Sequence, residues 1–415
     1  ITINGKNFKI DGNKQSSILK ITLSSTAPIV LNDIHFVNGH SDSGGSAICT
    51  KNGELILNNC QFENNSAKIG GAIYTYQTDS VITNCYFNNN SANKDGGAIY
   101  NKYGDYKIKN SIFKNNNAKD DGYGGAIYLG DDKALVENTT FMNNIAMYGG
   151  AIYIKEDKCN VSKCKFTNNT ARNYDDYDGY GGAVYVSGDE CEILHSSFNN
   201  NHAEIGGAVV STGDKNNLQN CSFDNNYAGY HGSAVHWQSE DGTIQDNSFT
   251  NNNAEYTGTI YLATGNVLVK NNDFINNTAL YAGAIKIHGS NNVIDNCRFI
   301  NNSATRYCGG ALSDVNMKYN NTVVSNSLFK GNTANGYGGA ISMSSINIIN
   351  TTFDNNSANV GGALFVINAS VTNSTFKDNT ADEGKSIYAL NKVILNNNNL
   401  DSNEVVNRLL NKKIE

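Results

Sequence analysis

The sequence predicts an all-β chain, a single-stranded right-handed parallel β-helix (β-solenoid) of about fourteen coils. Three observations carry that prediction. A phenylalanine recurs at positions 36, 62, 87, 113, 141, 166, 198, 223, 249, 274, 299, 329, 353 and 376, roughly every 25 residues. Asparagines flank it at fixed offsets, three before (Asn59, Asn84, Asn110, Asn138) and three after (Asn65, Asn90, Asn116, Asn144). After a variable gap comes a block of two glycines, an alanine and an aliphatic, as in Gly70-Gly71-Ala72-Ile73 and Gly96-Gly97-Ala98-Ile99.

A period of this length fits a leucine-rich repeat or a β-helix, and the apolar positions decide between them. Each unit has one aliphatic after the Gly-Gly-Ala block, one five residues before the phenylalanine (Leu57, Ile82, Ile108, Val136), and the phenylalanine itself. The intervals are short, β-branched and alternating, so each unit reads as one coil of two or three short strands. Stacked coils repeat about every 4.8 Å, which turns each repeated residue type into a ladder and gives a rod of roughly 65 to 70 Å. The asparagines read as structural, because a turn asparagine tolerates the left-handed conformation and its amide can bond to the copies above and below. The helix is expected over residues 1–403, with 404–415 as a C-terminal cap or tail, read as a short helical cap over the last coil.

Composition supports turns at regular spacing: there are 40 glycines, a single proline (Pro28), and asparagine at about one residue in six. A net charge of −7 argues against nucleic acid and against an anionic membrane surface as partners. No apolar run is long enough for direct membrane insertion. The chain opens directly in repeat-like sequence, which reads as a mature piece of a longer precursor.

The words Phe87-Asn88-Asn89-Asn90 and Gly96-Gly97-Ala98-Ile99 resemble the repeats of chlamydial polymorphic outer-membrane proteins. With openings such as Ile3-Asn4-Gly5 and Ile10-Asp11-Gly12, the chain resembles still more the asparagine-rich adhesin-like proteins of methanogenic archaea. The resemblance covers nearly the whole chain. It implies a pectate-lyase-like β-helix that is extracellular, sits on a cell surface and serves attachment, and it brings no catalytic residues.

Function is expected where the coils vary. The interval from the block alanine to the next phenylalanine is often held at 15 residues, as from Ala72 to Phe87 and Ala284 to Phe299. The return interval ranges from 10 (Phe62 to Ala72) to 17 (Phe166 to Ala183). Insertions map to loops on one face of a solenoid, often the binding face. The longest holds Tyr174, Asp175, Asp176, Tyr177 and Asp178 before Tyr180, and Tyr123 and Tyr148 share the place of Tyr180 just ahead of the glycine pair. Tyrosine faces suit sugar rings, and carboxylates accept sugar hydroxyls or hold calcium, so these eight residues form the candidate ligand-binding site. The competing reading is a solvated loop whose aromatics cover the edge. A second column, Tyr74, Tyr100, Tyr128, Tyr153, Tyr185 and Tyr261, interrupted by His236 and Trp237, points outward and reads mainly as cross-coil stacking.

No metal or other cofactor is expected, calcium at Asp176-Tyr177-Asp178-Gly179 being a faint motif without the remaining ligands of an EF-hand. Nine cysteines do not make a paired framework. Cys60, Cys85, Cys164, Cys221 and Cys297 read as small core residues, while Cys60–Cys85 and Cys159–Cys191 fall in adjacent coils within bridging reach. The reading for function is a cell-surface adhesin-like protein binding glycans or proteins of other cells. The alternatives are a structural envelope stalk or self-assembling subunit, and behind these a polysaccharide lyase or hydrolase. The chain is expected not to be an enzyme, since fold alone does not supply a catalytic carboxylate cluster.

Overall fold

The computed structural model describes residues 1–22, 27–173, 178–314, 321–400 and 404–408. It is an all-β right-handed parallel β-solenoid of about 15 turns. The phenylalanine count misses a first turn because that turn carries Ile10 where the next carries Phe36, the two being paired in register. The chain divides into two compact units, Ile1–Asn216 and Asn217–Glu415.

One coil of the first unit shows why the sequence folds this way. Four short strands, Ile73–Tyr76, Asp79–Thr83, Tyr86–Asn88 and Ser91–Ala92, are each too short to be independent and pair in parallel with their copies in neighbouring coils. There are four rather than two or three because the chain corners at left-handed residues: Gln77 (φ 49°), Asn84 (φ 54°), Asn89 (φ 54°) and Gly96 (φ 63°). Asparagine and glycine adopt that region at low cost. The second glycine of the block has a different duty. A Cβ on Gly97 would collide with the carbonyl oxygen of Gly125 in the next coil, so only glycine lets the two backbones approach.

Inside the first unit Ile82, Phe87, Ala92 and Ile99 are fully buried. In-register pairing forces the phenylalanines face to face: Phe62 and Phe87 have centroids 4.6 Å apart, Phe87 and Phe113 4.5 Å. The second unit repeats this, with 4.8 Å between Phe249 and Phe274 and 4.9 Å between Phe274 and Phe299.

The two asparagine positions do separate jobs. Those three before the phenylalanine take the left-handed corner, as Asn110 (φ 52°) and Asn138 (φ 48°) do. Those three after it lie inside. Asn90 Nδ2 donates to Asn116 Oδ1 at 3.0 Å and to the Phe62 carbonyl at 2.9 Å, while Asn90 Oδ1 accepts from the backbone N–H and Nδ2 of Asn65 at 3.1 and 3.0 Å. In the second unit Asn277 is bonded likewise to Asn302, Phe249 and Asn252. A fully satisfied buried amide avoids a desolvation penalty of about 1–3 kcal/mol per unpaired group.

The position two before the phenylalanine is also explained. Cys85 Sγ donates to the Thr83 carbonyl and its N–H to Ser111 Oγ, while Ser111 Oγ donates to Lys109 O. A thiol or hydroxyl serves equally there. Among the described residues no disulfide joins the nine cysteines, and Cys159 N–H donates to Cys191 Sγ at 3.4 Å. Past the last long strand, Ile387–Asn396, the segment read as a helical cap contributes a strand instead, Val405–Asn407, paired with Ile387, Tyr388 and Ala389.

Candidate functional site

In the first unit, the strand that follows each glycine block places Tyr74, Tyr100, Tyr128, Tyr153 and Tyr185 in register. Their rings stack with centroids 5.7, 4.4, 5.3 and 5.3 Å apart. The residues just before the glycine pairs form a second column, where Tyr123, Tyr148 and Tyr180 are bridged and stack at 4.6 and 5.5 Å. The columns touch edge to face, Tyr123 against Tyr153 at 4.7 Å and Tyr148 against Tyr185 at 5.7 Å. The result is one half-buried face of eight phenols. Burial pushes the Tyr100 and Tyr153 hydroxyls up to about 12 and raises those of Tyr123, Tyr148 and Tyr180, so all stay protonated donors at neutral pH. Asp95, absent from the sequence prediction, accepts the Tyr123 N–H at 3.1 Å, and burial raises its carboxyl pKa.

Of the sequence-predicted site, Tyr123, Tyr148 and Tyr180 are thus brought together and Asp178 is exposed nearby in sequence. Tyr174, Asp175, Asp176 and Tyr177 lie outside the described residues, and with them half of the calcium motif. Among the described residues no three His, Cys, Asp or Glu side chains are arranged to hold a metal ion, and no helix is long and apolar enough to cross a membrane. A run of turn aspartates is accounted for structurally: the carboxylates of Asp132, Asp157 and Asp189 accept the backbone N–H of Asp157, Asp189 and Asp214 in the next coil at 2.8–3.0 Å.

The second unit fills the equivalent strand column differently: His236, Tyr261, Lys286, Ser313 and Ser342 follow one another in register. His236 belongs to the column and Trp237 does not. Trp237 alternates inward, is 1% exposed and donates Nε1–H to Ser239 O at 3.0 Å. Before the glycines stand His231, Thr257 and Tyr281, bridged in register, and Cys308.

Small residues where the first unit has tyrosines leave a pocket of about 430 Å³, whose lining includes Tyr230, Tyr256, Tyr281, Lys286, Asp314 and Ser342. Lys286 is 6% exposed; its ammonium donates to Ser313 Oγ at 2.9 Å and Asp314 O at 2.6 Å and lies 5.1 Å from the Tyr281 ring centroid. The Asp314 carboxylate accepts from the Ser344 N–H at 2.8 Å and from the Ser344 hydroxyl. Burial lowers the Lys286 pKa and raises that of Asp314. His231 stacks on Tyr261 at 4.3 Å, and burial, with Lys286 and His288 nearby, brings its pKa down to about 4. His236, packed against Tyr261 at 5.1 Å, is brought by burial to about 3.

Sequence reasoning missed this pocket because it followed residues that repeat, and the pocket is made where they cease to. The signal was a lysine between two core aliphatics, Ile285-Lys286-Ile287, in a column otherwise rich in tyrosine.

Among known families, the right-handed beta helix region matches residues 2–223 and 184–358. The chain belongs to the right-handed β-helix family. Within this β-helix, residues 350–367 also match the Chlamydia polymorphic membrane protein repeat, in line with the resemblance drawn from the asparagine and glycine words. No curated protein matches. Similar solved structures include a PL6-family alginate lyase (11% identity, 96% of this chain and 86% of that one, TM-score 0.27). Another is the A-module of the mannuronan C-5 epimerase of Azotobacter vinelandii (10% identity, 92% and 90%, TM-score 0.28). The expectation that the chain is not an enzyme is corrected: both of these structures are of enzymes, at a likeness that assigns no role to this chain, and catalysis stays open.

Proposed function

We propose that this β-helix is an adhesin-like protein of the cell surface that binds glycans or proteins of partner cells through the tyrosine face of its first unit. The observation that carries the proposal is the pair of tyrosine columns, stacked within each column and meeting edge to face between them. A half-buried phenol offers an apolar face to the C–H side of a sugar ring and a hydroxyl to its rim. Asp95 adds a carboxylate beside Tyr123, and the acidic insertion at 174–178 borders the same edge in sequence. The polymorphic membrane protein repeat supports a surface location.

The test is binding of the purified chain to a broad glycan array and to whole cells, with and without calcium. It is run beside a Tyr148→Ala/Tyr180→Ala variant and one lacking residues 174–178. Saturable binding that either variant loses is the expected result. The stacked rings also stabilise their own ladder. Absence of binding to every glycan and cell would therefore leave a structural envelope role.

A further inference from the structure

We infer that the pocket around Lys286 in the second unit is a separate binding site for an anionic saccharide, whose acidic group meets the Lys286 ammonium while its ring lies on the tyrosine wall. This rests on the glycan-binding reading of the chain but not on the first-unit face.

Three features of the pocket support it. The ammonium is almost wholly enclosed, yet among the described residues it has no ion pair; its acceptors are a hydroxyl and a backbone carbonyl. Asp314, the acidic residue of the lining, turns its carboxylate to Ser344 and acts on the ammonium only through space. An enclosed charge without a direct ion pair is costly, and an anionic ligand seated on it would offset that cost. Burial lowers the lysine pKa in the free protein, and an arriving anion reverses that by favouring the charged form.

Space over the lysine comes from Ser313 and Ser342, which stand where the first unit has tyrosines. The pocket of about 430 Å³ lies within the range of about 300–1,000 Å³ usual for small-molecule sites. Its mouth carries rings suited to a sugar face: Tyr230 is 43% exposed and Tyr256 37%, and they stack on each other at 4.9 Å, while Tyr281 stacks on Tyr307 at 4.2 Å. His231 is neutral at pH 7 and adds a polar edge without adding charge.

The experiment is calorimetric titration of the full chain with size-matched oligosaccharides: one bearing uronic carboxylates, one sialylated, one sulfated and one neutral. Each is repeated with Lys286→Met and Lys286→Gln, and folding is checked by thermal melting. The expected result is binding of at least one acidic oligosaccharide, weakened about tenfold or more in both variants, while any neutral ligand is unaffected. The acidic series separates carboxylate from sulfate as the group recognised. Equal affinity for acidic and neutral sugars, or acidic binding unchanged in both variants, overturns the inference while leaving the glycan reading intact. No binding to any sugar overturns both. If one variant fails to fold, the other decides, and a rise in melting temperature with acidic but not neutral sugar gives a readout on the unaltered chain.

Discussion

The two units have the same kind of interior and differ on one face. In the first, the strand column after the glycine block is Tyr74, Tyr100, Tyr128, Tyr153 and Tyr185, and the rings close over one another. In the second it is His236, Tyr261, Lys286, Ser313 and Ser342, and a pocket opens. Backbone pairing is parallel and in register in both cases. What the difference teaches is that the ladder fixes where a side chain stands but not how much of the column it fills, and a recess forms where large residues give way to small ones.

If the interiors are equivalent, Phe141→Ala and Phe274→Ala should cost about the same, roughly 3–5 kcal/mol each. Denaturant unfolding of each variant checks this, and a cost confined to one unit would break the comparison. The face should lose stability in acid chiefly in the second unit, which holds the buried histidines. His236 is neutral in the fold, with its pKa brought to about 3 against about 6.5 when unfolded. The unfolded chain therefore takes up a proton first. The stability contribution is full above pH 6.5 and is lost as pH falls toward 3, amounting to about 4 kcal/mol over that window. Hydrogen exchange read unit by unit from pH 7 to 4 should show protection falling more in the second, and His236→Phe should flatten that dependence.

Smaller effects concern the columns themselves. Tyr148→Ala removes stacking on both Tyr123 and Tyr180 and should lower first-unit stability by about 1–2 kcal/mol. Lys286→Met should leave the melting temperature unchanged or raise it, by up to about 1 kcal/mol of stability, because it removes an enclosed charge that has no ion pair among the described residues. A fall in melting temperature would mean that the bonds to Ser313 and Asp314 outweigh the cost of enclosure.

Much of the fold was legible because an in-register ladder demands the same residue type coil after coil. Phe62, Phe87 and Phe113 announce the core, and Asn65, Asn90 and Asn116 the amide stack. The first turn escaped notice because Ile10 fills the phenylalanine's place with another apolar residue. The strands numbered more than foreseen because corner residues such as Gln77 look unremarkable in sequence. For the site, Tyr123, Tyr148 and Tyr180 were legible as one column from their place before the glycines. Their contact with Tyr153 and Tyr185 was not, since it joins two stretches of each coil that only cornering brings side by side. The Lys286 pocket depends on five coils at once, and no single coil records it.

The buried amide stack bears on how such a chain can change over generations. Asn116 bonds to its copies on either side, Asn90 and Asn144, and to the Phe87 carbonyl, the same set that Asn90 makes one coil earlier. Loss of residues 117–144 by recombination between repeats would let Asn116 meet Asn169 as it now meets Asn144, with no interior bond lost. Whole coils can thus be shuffled, duplicated or dropped as interchangeable cassettes. Each exchange would redraw the outer columns, so a lineage could try new surfaces without having to invent a new core.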